Sequence, residues 1–197
     1  MAKISASNDT SQSIIDSTLS AIAVDGISNL TTKSISKRAS ISTASIHYFF
    51  DTKENLVYNS FAYMIKSIRL DMLDARKGQP DPIKRIRGVC ETHFTARQLS
   101  EEAANIWPQI WSHATYNPRT ARLVKIFGAR MISNFTYDLR ELGMPHKQAR
   151  LGAIELRAMI VGLWVEKQVT KNTLQGERIA VFERMLSRLQ TEAAIFQ

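Results

Sequence analysis

The sequence has few of the cysteine, glycine and histidine patterns that several classes of protein require. It contains one cysteine, Cys90, in 197 residues, so it can form neither an internal disulfide nor a cysteine-rich zinc site. Its eight glycines stand singly, which excludes a glycine-rich phosphate loop. Its four histidines are scattered, and no pair has metal-ligand spacing. We therefore expect no metal, no cofactor and no catalytic residue, and an enzyme is a distant third possibility.

Long apolar runs are also missing. The first residues turn polar at once, so no signal-peptide core is present. No segment approaches the roughly 18–20 apolar residues that cross a bilayer. Hydrophobic residues make up 44% and charged residues 22%, which is ordinary for a globular protein. These features predict a cytoplasmic protein with no membrane contact.

Two-residue alternation of apolar residues is nearly absent, whereas spacing at three and four residues dominates. The pattern predicts an all-α protein of about nine helices. Asp81-Pro82 and Asn117-Pro118 have the form of a helix cap followed by proline at the first helical position. The helix that starts at Pro82 is expected to reach about Leu99.

Two short helices, at about Thr32–Ala39 and from Ser42 to about Phe49, follow a longer one and suggest a helix-turn-helix. In such a unit the second helix enters the major groove of DNA. Polar side chains including Thr43 and His47 can face outward, while Ile46 faces inward. Spacing alone leaves a plain three-helix cap with a solvated face as an equal alternative.

The order of residues from 30 to 56 favours DNA binding, because it resembles the DNA-binding segment of TetR-family regulators. The residues that match in order and spacing are Thr31, Ile35, Ala39, Ile41, Ser42, Tyr48, Phe49, Phe50, Lys53, Glu54 and Leu56. The resemblance implies a helix-turn-helix domain at 1–52 and a helical effector-binding and dimerisation domain at 53–197.

The resemblance also implies which residues meet DNA. The groove-facing set is Thr43, Ala44, Ser45, His47 and Tyr48, and the phosphate-binding set is Lys53 with Thr32 or Lys33. Three positions depart from the family, and at one of them Ala44 replaces a frequent glycine. Ser40 replaces a turn glycine, which costs about 1 kcal/mol if the turn needs a positive φ. His47 replaces a tyrosine that touches the DNA backbone.

A second resemblance, looser and spread over much of the chain, is to the BetI-type branch, whose namesake responds to choline. The residues that carry it are 103–111, the Asn117-Pro118 break and 160–164. Aromatic faces attract quaternary ammonium groups. The candidate effector cage is Trp107, Trp111, Tyr116 and Trp164. The alternative is that Trp107 and Trp111, four residues apart, form an ordinary core pair, with Pro108 either starting or kinking their helix.

The last two helices, at about 146–171 and 177–195, have wide apolar stripes. The family resemblance assigns them to a homodimer interface. The candidate residues are Leu156, Ile160, Leu163, Phe182, Leu186 and Leu189. The alternative is that the stripes pack within one subunit, and stripes alone do not decide between the two.

The net charge of +8 does not by itself indicate DNA, because residues 1–56 carry five basic and five acidic side chains. The local excess is +3 between Lys33 and Lys53. The sequence therefore predicts a ligand-responsive repressor that binds a palindromic double-stranded DNA operator as a homodimer and is released by a small-molecule effector. The alternative function is a helical interaction or small-molecule-binding module that does not bind DNA.

Overall fold

The described residues, 2–95, 100–170 and 175–197 of a computed structural model, form nine α-helices and one short 3-10 helix. The α-helices are α1 (Ala2–Asp25), α2 (Thr32–Ala39), α3 (Thr43–Phe50), α4 (Lys53–Arg76), α5 (Pro82–Thr92), α6 (Glu101–Tyr116), α7 (Pro118–Glu141), α8 (His146–Thr170) and α9 (Gln175–Ala194). The 3-10 helix, Ile27–Asn29, lies between α1 and α2. These ranges contain no strand, which confirms the all-α prediction. No helix in them has the length and apolar character needed to cross a membrane.

The predicted helix caps are present. The Asp81 carboxylate accepts a hydrogen bond of 2.8 Å from the Ile83 amide, with Pro82 at the first position of α5. The Asn117 side chain accepts one of 3.1 Å from the Thr120 amide at the start of α7. Each cap satisfies an amide that has no partner within its helix.

Helix α5 ends at Thr92, so the prediction that it reaches about Leu99 is wrong; residues 96–99 lie outside the described ranges. The Thr92 hydroxyl donates to the Val89 carbonyl at 2.6 Å, and the His93 ring nitrogen lies 2.9 Å from the same oxygen. Side-chain bonds to the backbone compete with continuation of a helix.

Pro108 lies in the middle of α6, so the alternative that this helix starts near Trp107 is wrong. Proline has no N–H, so the helix lacks the bond that residue 108 would donate one turn back. Residues on both sides of it remain helical, and α6 begins seven residues earlier at Glu101.

The chain divides into two compact units. Unit 1 comprises residues 1–67 and 100–124, and unit 2 comprises residues 68–99 and 125–197. Within unit 1, α1 packs most extensively against α6 and α2. The sequence-based functional boundary at residue 52 is a different division of the chain, and it stays a prediction.

A buried carboxylate ties together three helices of unit 2. Asp138 on α7 is fully buried and pairs with Arg76 near the end of α4. Its Oδ1 also accepts a bond of 2.7 Å from Nε of Arg85 on α5. Because both arginines bind one carboxylate, the buried charge is compensated.

Candidate nucleic-acid interface

The α2–turn–α3 unit is built on buried isoleucines. Ile35 of α2 and Ile46 of α3 are buried, as are Ile14 and Ile22 of α1. On the surface, the Arg38 guanidinium pairs with the Asp25 carboxylate at 3.1 Å and so links α2 to α1. A helix of eight residues such as α3 is not stable alone, so its position depends on this packing.

The turn between α2 and α3 requires a positive φ. Ser40 has φ 55° and ψ 40°, in the left-handed helical region. The Ile41 amide donates to the Ser36 carbonyl at 3.0 Å, and the Ser40 amide donates to the Lys37 carbonyl at 3.4 Å. This pattern is a Schellman-type helix end, where glycine is usual because it lacks a β-carbon. Ser40 therefore bears the steric cost that the sequence suggested.

The first turn of α3 is open to solvent. The Ser42 hydroxyl caps the helix by accepting from the Ser45 amide at 3.0 Å. Thr43 and Ala44 are exposed, and Tyr48 one turn later is 83% exposed. Ser45 is half-buried and its hydroxyl lies 2.9 Å from that of Ser42. Short exposed side chains at a helix start match the geometry of a recognition helix.

His47 is held by the turn that ends α3. Its Nδ1 lies 3.0 Å from the Asp51 carbonyl oxygen, which can only accept, so Nδ1 carries the proton. Asp51 itself has φ 64° and ψ −62°, and the Thr52 amide donates across it to the Phe50 carbonyl at 2.7 Å. In the neutral ring, Nε2 is left as an acceptor on the exposed side of α3.

The residues predicted to contact phosphate lie at the starts of α2 and α4. Lys53 is the first residue of α4, and its Nζ donates to the Leu30 carbonyl at 3.2 Å. Thr32 and Lys33 occupy the first turn of α2, where Lys33 is exposed and Thr32 is half-buried. Free backbone amides at helix starts attract phosphates. The structure thus places all three residues at helix N-termini.

The four predicted effector residues fall in both units. Trp107 is buried and Trp111 half-buried in unit 1, with ring centroids 5.7 Å apart and planes inclined by 33°. Tyr116 is 65% exposed at the end of α6. Trp164 is buried in unit 2. Trp107 and Trp111 thus form a direct aromatic contact within unit 1.

Sequence reasoning missed two polar residues that join α6 to the end of α1. The Asn105 side-chain amide donates to the Ala23 carbonyl at 3.1 Å. The Gln109 side-chain oxygen accepts from the Ile27 amide at 3.3 Å. Their spacing of four residues on one face of α6 was a detectable signal, but nothing in the sequence indicated the partners.

A second missed contact joins α7 to α4. The Arg119 guanidinium donates to the Asn55 side-chain oxygen at 2.6 Å and lies 4.2 Å from the Tyr58 ring centroid. An exposed arginine after proline gives no sequence signal for such a partner. The contact lies within two turns of Lys53, at the predicted phosphate-binding end of α4.

The histidines and the cysteine inside the protein are structural. The His113 ring lies 2.9 Å from the Thr120 hydroxyl and contacts Phe61 edge-on, and burial lowers the pKa of His113. Burial likewise lowers the pKa of His93 and raises that of the Cys90 thiol well above its ordinary value. A thiol that stays protonated is a poor nucleophile.

Five of the six residues predicted at a dimer interface are buried within the chain itself. They are Leu156, Ile160, Phe182, Leu186 and Leu189. These side chains of α8 and α9 belong to the core of unit 2, and the dimer interface stays a prediction. Leu163 is half-buried.

The fold and the exposed start of α3 define a helix-turn-helix DNA-binding protein. Residues 14–58 match the model of the tetR family of bacterial regulatory proteins. Residues 82–191 match the C-terminal region of BetI-type transcriptional repressors. The chain therefore belongs to the TetR family of transcriptional regulators, with a BetI-type C-terminal region, as its sequence indicated. Members of this family are regulators and not enzymes.

Relatives extend over most of the chain. It is 30% identical over 165 residues to the HTH-type transcriptional regulator BetI of Paraburkholderia xenovorans strain LB400, covering 83% of this chain and 82% of that protein. A crystal structure described as a transcriptional regulator from Pseudomonas aeruginosa PAO1 has the same fold, with a TM-score of 0.83, 21% identity, and coverage of 95% and 93% of the two chains. A regulator from Saccharomonospora viridis, crystallised in complex with choline, has a TM-score of 0.73, 21% identity, and coverage of 93% and 95%.

The strained turn leads to a stability prediction. We expect Ser40→Gly to raise the free energy of unfolding by about 1 kcal/mol, because glycine removes the β-carbon clash of the left-handed conformation. Urea denaturation followed by circular dichroism measures it. Ser40→Ala is the control, since alanine keeps the β-carbon and should gain nothing. A glycine variant no more stable than wild type would show that Ser40 is not strained.

Proposed function

We propose that the protein represses transcription from a palindromic operator as a homodimer and releases the DNA when a small molecule binds. The observation that carries the proposal is the capped, solvent-exposed start of α3, beside Lys53 at the start of α4. Its site of action is the cytoplasm, where bacterial DNA lies. Residues 1–52 form the DNA-binding domain in this proposal, and residues 53–197 form the effector and dimer domain.

The operator is found by selecting bound duplexes from a random DNA pool. We expect an inverted repeat whose half-sites are centred about one helical turn apart, or a multiple of it, because a two-fold dimer presents two copies of α3. Enrichment of a single half-site, or of nothing, would contradict the proposed mode of binding.

On that operator, Lys53→Ala should weaken binding and reduce the slope of log K against log salt by about one per chain, because one phosphate contact is lost. Fluorescence anisotropy at several salt concentrations measures both. Lys66→Ala is the matched control, as it removes an exposed lysine farther along the same helix. Equal salt slopes for the two variants would show that Lys53 does not contact a DNA phosphate.

The dimer contact that we propose is the outward face of α8. Leu151 and Ile154 are 54% and 41% exposed there, and Ala158 continues the stripe. Gly162 extends it, with nothing within 4 Å of the position of an added β-carbon, so a neighbouring helix can approach closely. Exposed apolar stripes of this kind mark association surfaces.

We expect Ile154→Arg to convert the dimer to monomers at micromolar concentration, because a two-fold contact brings the two arginines together without water. Sedimentation velocity measures the molecular mass. Leu73→Arg is the control, since Leu73 is equally exposed on α4 of the same unit. A dimer that survives Ile154→Arg would place the interface on another surface.

For the effector, we propose a quaternary ammonium compound such as choline, bound against the Trp107–Trp111 pair. Support comes from the aromatic pair itself and from the S. viridis relative crystallised with choline. Trp111 is half-buried whereas Trp107 is buried, so Trp111 is the more accessible of the two side chains. Cation–π attraction contributes about 0.5–2 kcal/mol to such a contact.

Calorimetry with choline and with 3,3-dimethyl-1-butanol, its uncharged counterpart of the same shape, tests the effector proposal. We expect choline to bind about 2- to 30-fold more tightly, because only the cation gains from the indole faces. In Trp111→Leu this preference should shrink. Equal affinities of the two compounds for the wild type, or no binding of choline, would contradict the proposal that the effector is a quaternary ammonium compound.

A further inference from the structure

An arginine in the first turn of α9 is buried without an ion-pair partner among the described residues. Arg178 is the fourth residue of that helix and only 5% exposed. Its Nη1 is buried and has no hydrogen-bond partner in the part of the chain that the structure describes. A guanidinium keeps its charge inside a protein, and a buried charge without a partner costs several kcal/mol. The buried position of Arg178 is therefore unfavourable unless an anion accompanies it.

Three other arginines of unit 2 have carboxylate partners. Arg76 and Arg85 share the carboxylate of Asp138, and Arg87 binds Glu183 at 2.7 Å. Among the residues that the structure describes, Arg178 forms no ion pair. The buried carboxylate of this unit is thus already used by two other guanidinium groups.

The position of Arg178 along α9 adds to the local positive potential. Side chains in a helix lean toward its N-terminus, so the guanidinium is expected on the side of the first turn. That turn has backbone amides without partners inside the helix and a partial positive charge. A cation at this end is unfavourable by itself, whereas an anion would be stabilised by both features.

A buried tryptophan lies at the level of Arg178. Arg188 on α9 pairs with Glu155 on α8, which fixes the register of the two antiparallel helices. Arg178 lies ten residues before Arg188, and Trp164 lies nine residues after Glu155. Both distances are about 14–15 Å along a helix, so Arg178 and the buried Trp164 are at one level.

We propose that Arg178 is the centre of an internal site in unit 2 for a small molecule that carries a carboxylate. Because Nη1 is buried inside one chain, a side chain of a second copy does not reach it, and a small molecule enclosed by the protein is the fitting partner. The proposal goes beyond the quaternary ammonium effector and does not depend on it, since Trp107 and Trp111 belong to unit 1.

The test compares thermal unfolding in potassium acetate and in potassium chloride of equal ionic strength. Acetate is the smallest carboxylate with a carbon substituent, so it fits a site of almost any size. A bound anion raises Tm by mass action. We expect acetate to raise the Tm of the wild type above its value in chloride, and Arg178→Met to lose this extra rise. Arg184→Met, on an exposed arginine of the same helix, should keep it.

A second readout does not depend on the probe. In chloride, Arg178→Met should have a Tm equal to or above that of the wild type, because methionine fills the space without a buried charge. A large drop in Tm, or failure of this variant to fold, would show that Arg178 has a partner in the protein and would overturn the proposal. Identical acetate responses of wild type and Arg178→Met would overturn it as well.

Discussion

The packing of α1 against α2 is the constraint on which the DNA-binding unit depends. Helix α3 has eight residues, too few to persist without tertiary contacts. It is held through Ile46 and through α2, which rests on α1 by Ile35 and by the Arg38–Asp25 pair. Helix α6 is bound to the end of α1 through Asn105. A shift of α6 would therefore move α1 and, through α2, the recognition helix α3.

The sequence was sufficient wherever structure is set by local chemistry. The caps at Asp81 and Asn117 came from residues that satisfy amides within three positions, so their neighbours in sequence decided the outcome. The positive φ at Ser40 followed from a missing glycine in a matched motif. The helix-turn-helix was predicted because its residues are contiguous and their order is specific.

Contacts between distant segments could not be predicted in the same way. Leu156 and Leu189 have the spacing of an interface stripe. Such spacing does not indicate whether the same chain or a second copy covers the stripe. In this structure the chain itself buries both side chains. The partners of Gln109 and Arg119 lie 82 and 64 residues away. The burial of Arg178 could not be predicted either, because burial of a long polar side chain has no local sequence signature.

Site-directed DNA cleavage tests most directly whether α3 enters the major groove. Cys90 is fully buried and its thiol pKa is raised, so an iron chelate would attach selectively to Thr43→Cys at the exposed start of α3. On the selected operator, the account predicts two clusters of cuts, one per half-site. A chelate on Ser187→Cys, an exposed position of α9, should give none. Cleavage from Thr43→Cys that is absent, or spread evenly along the duplex, would contradict the account.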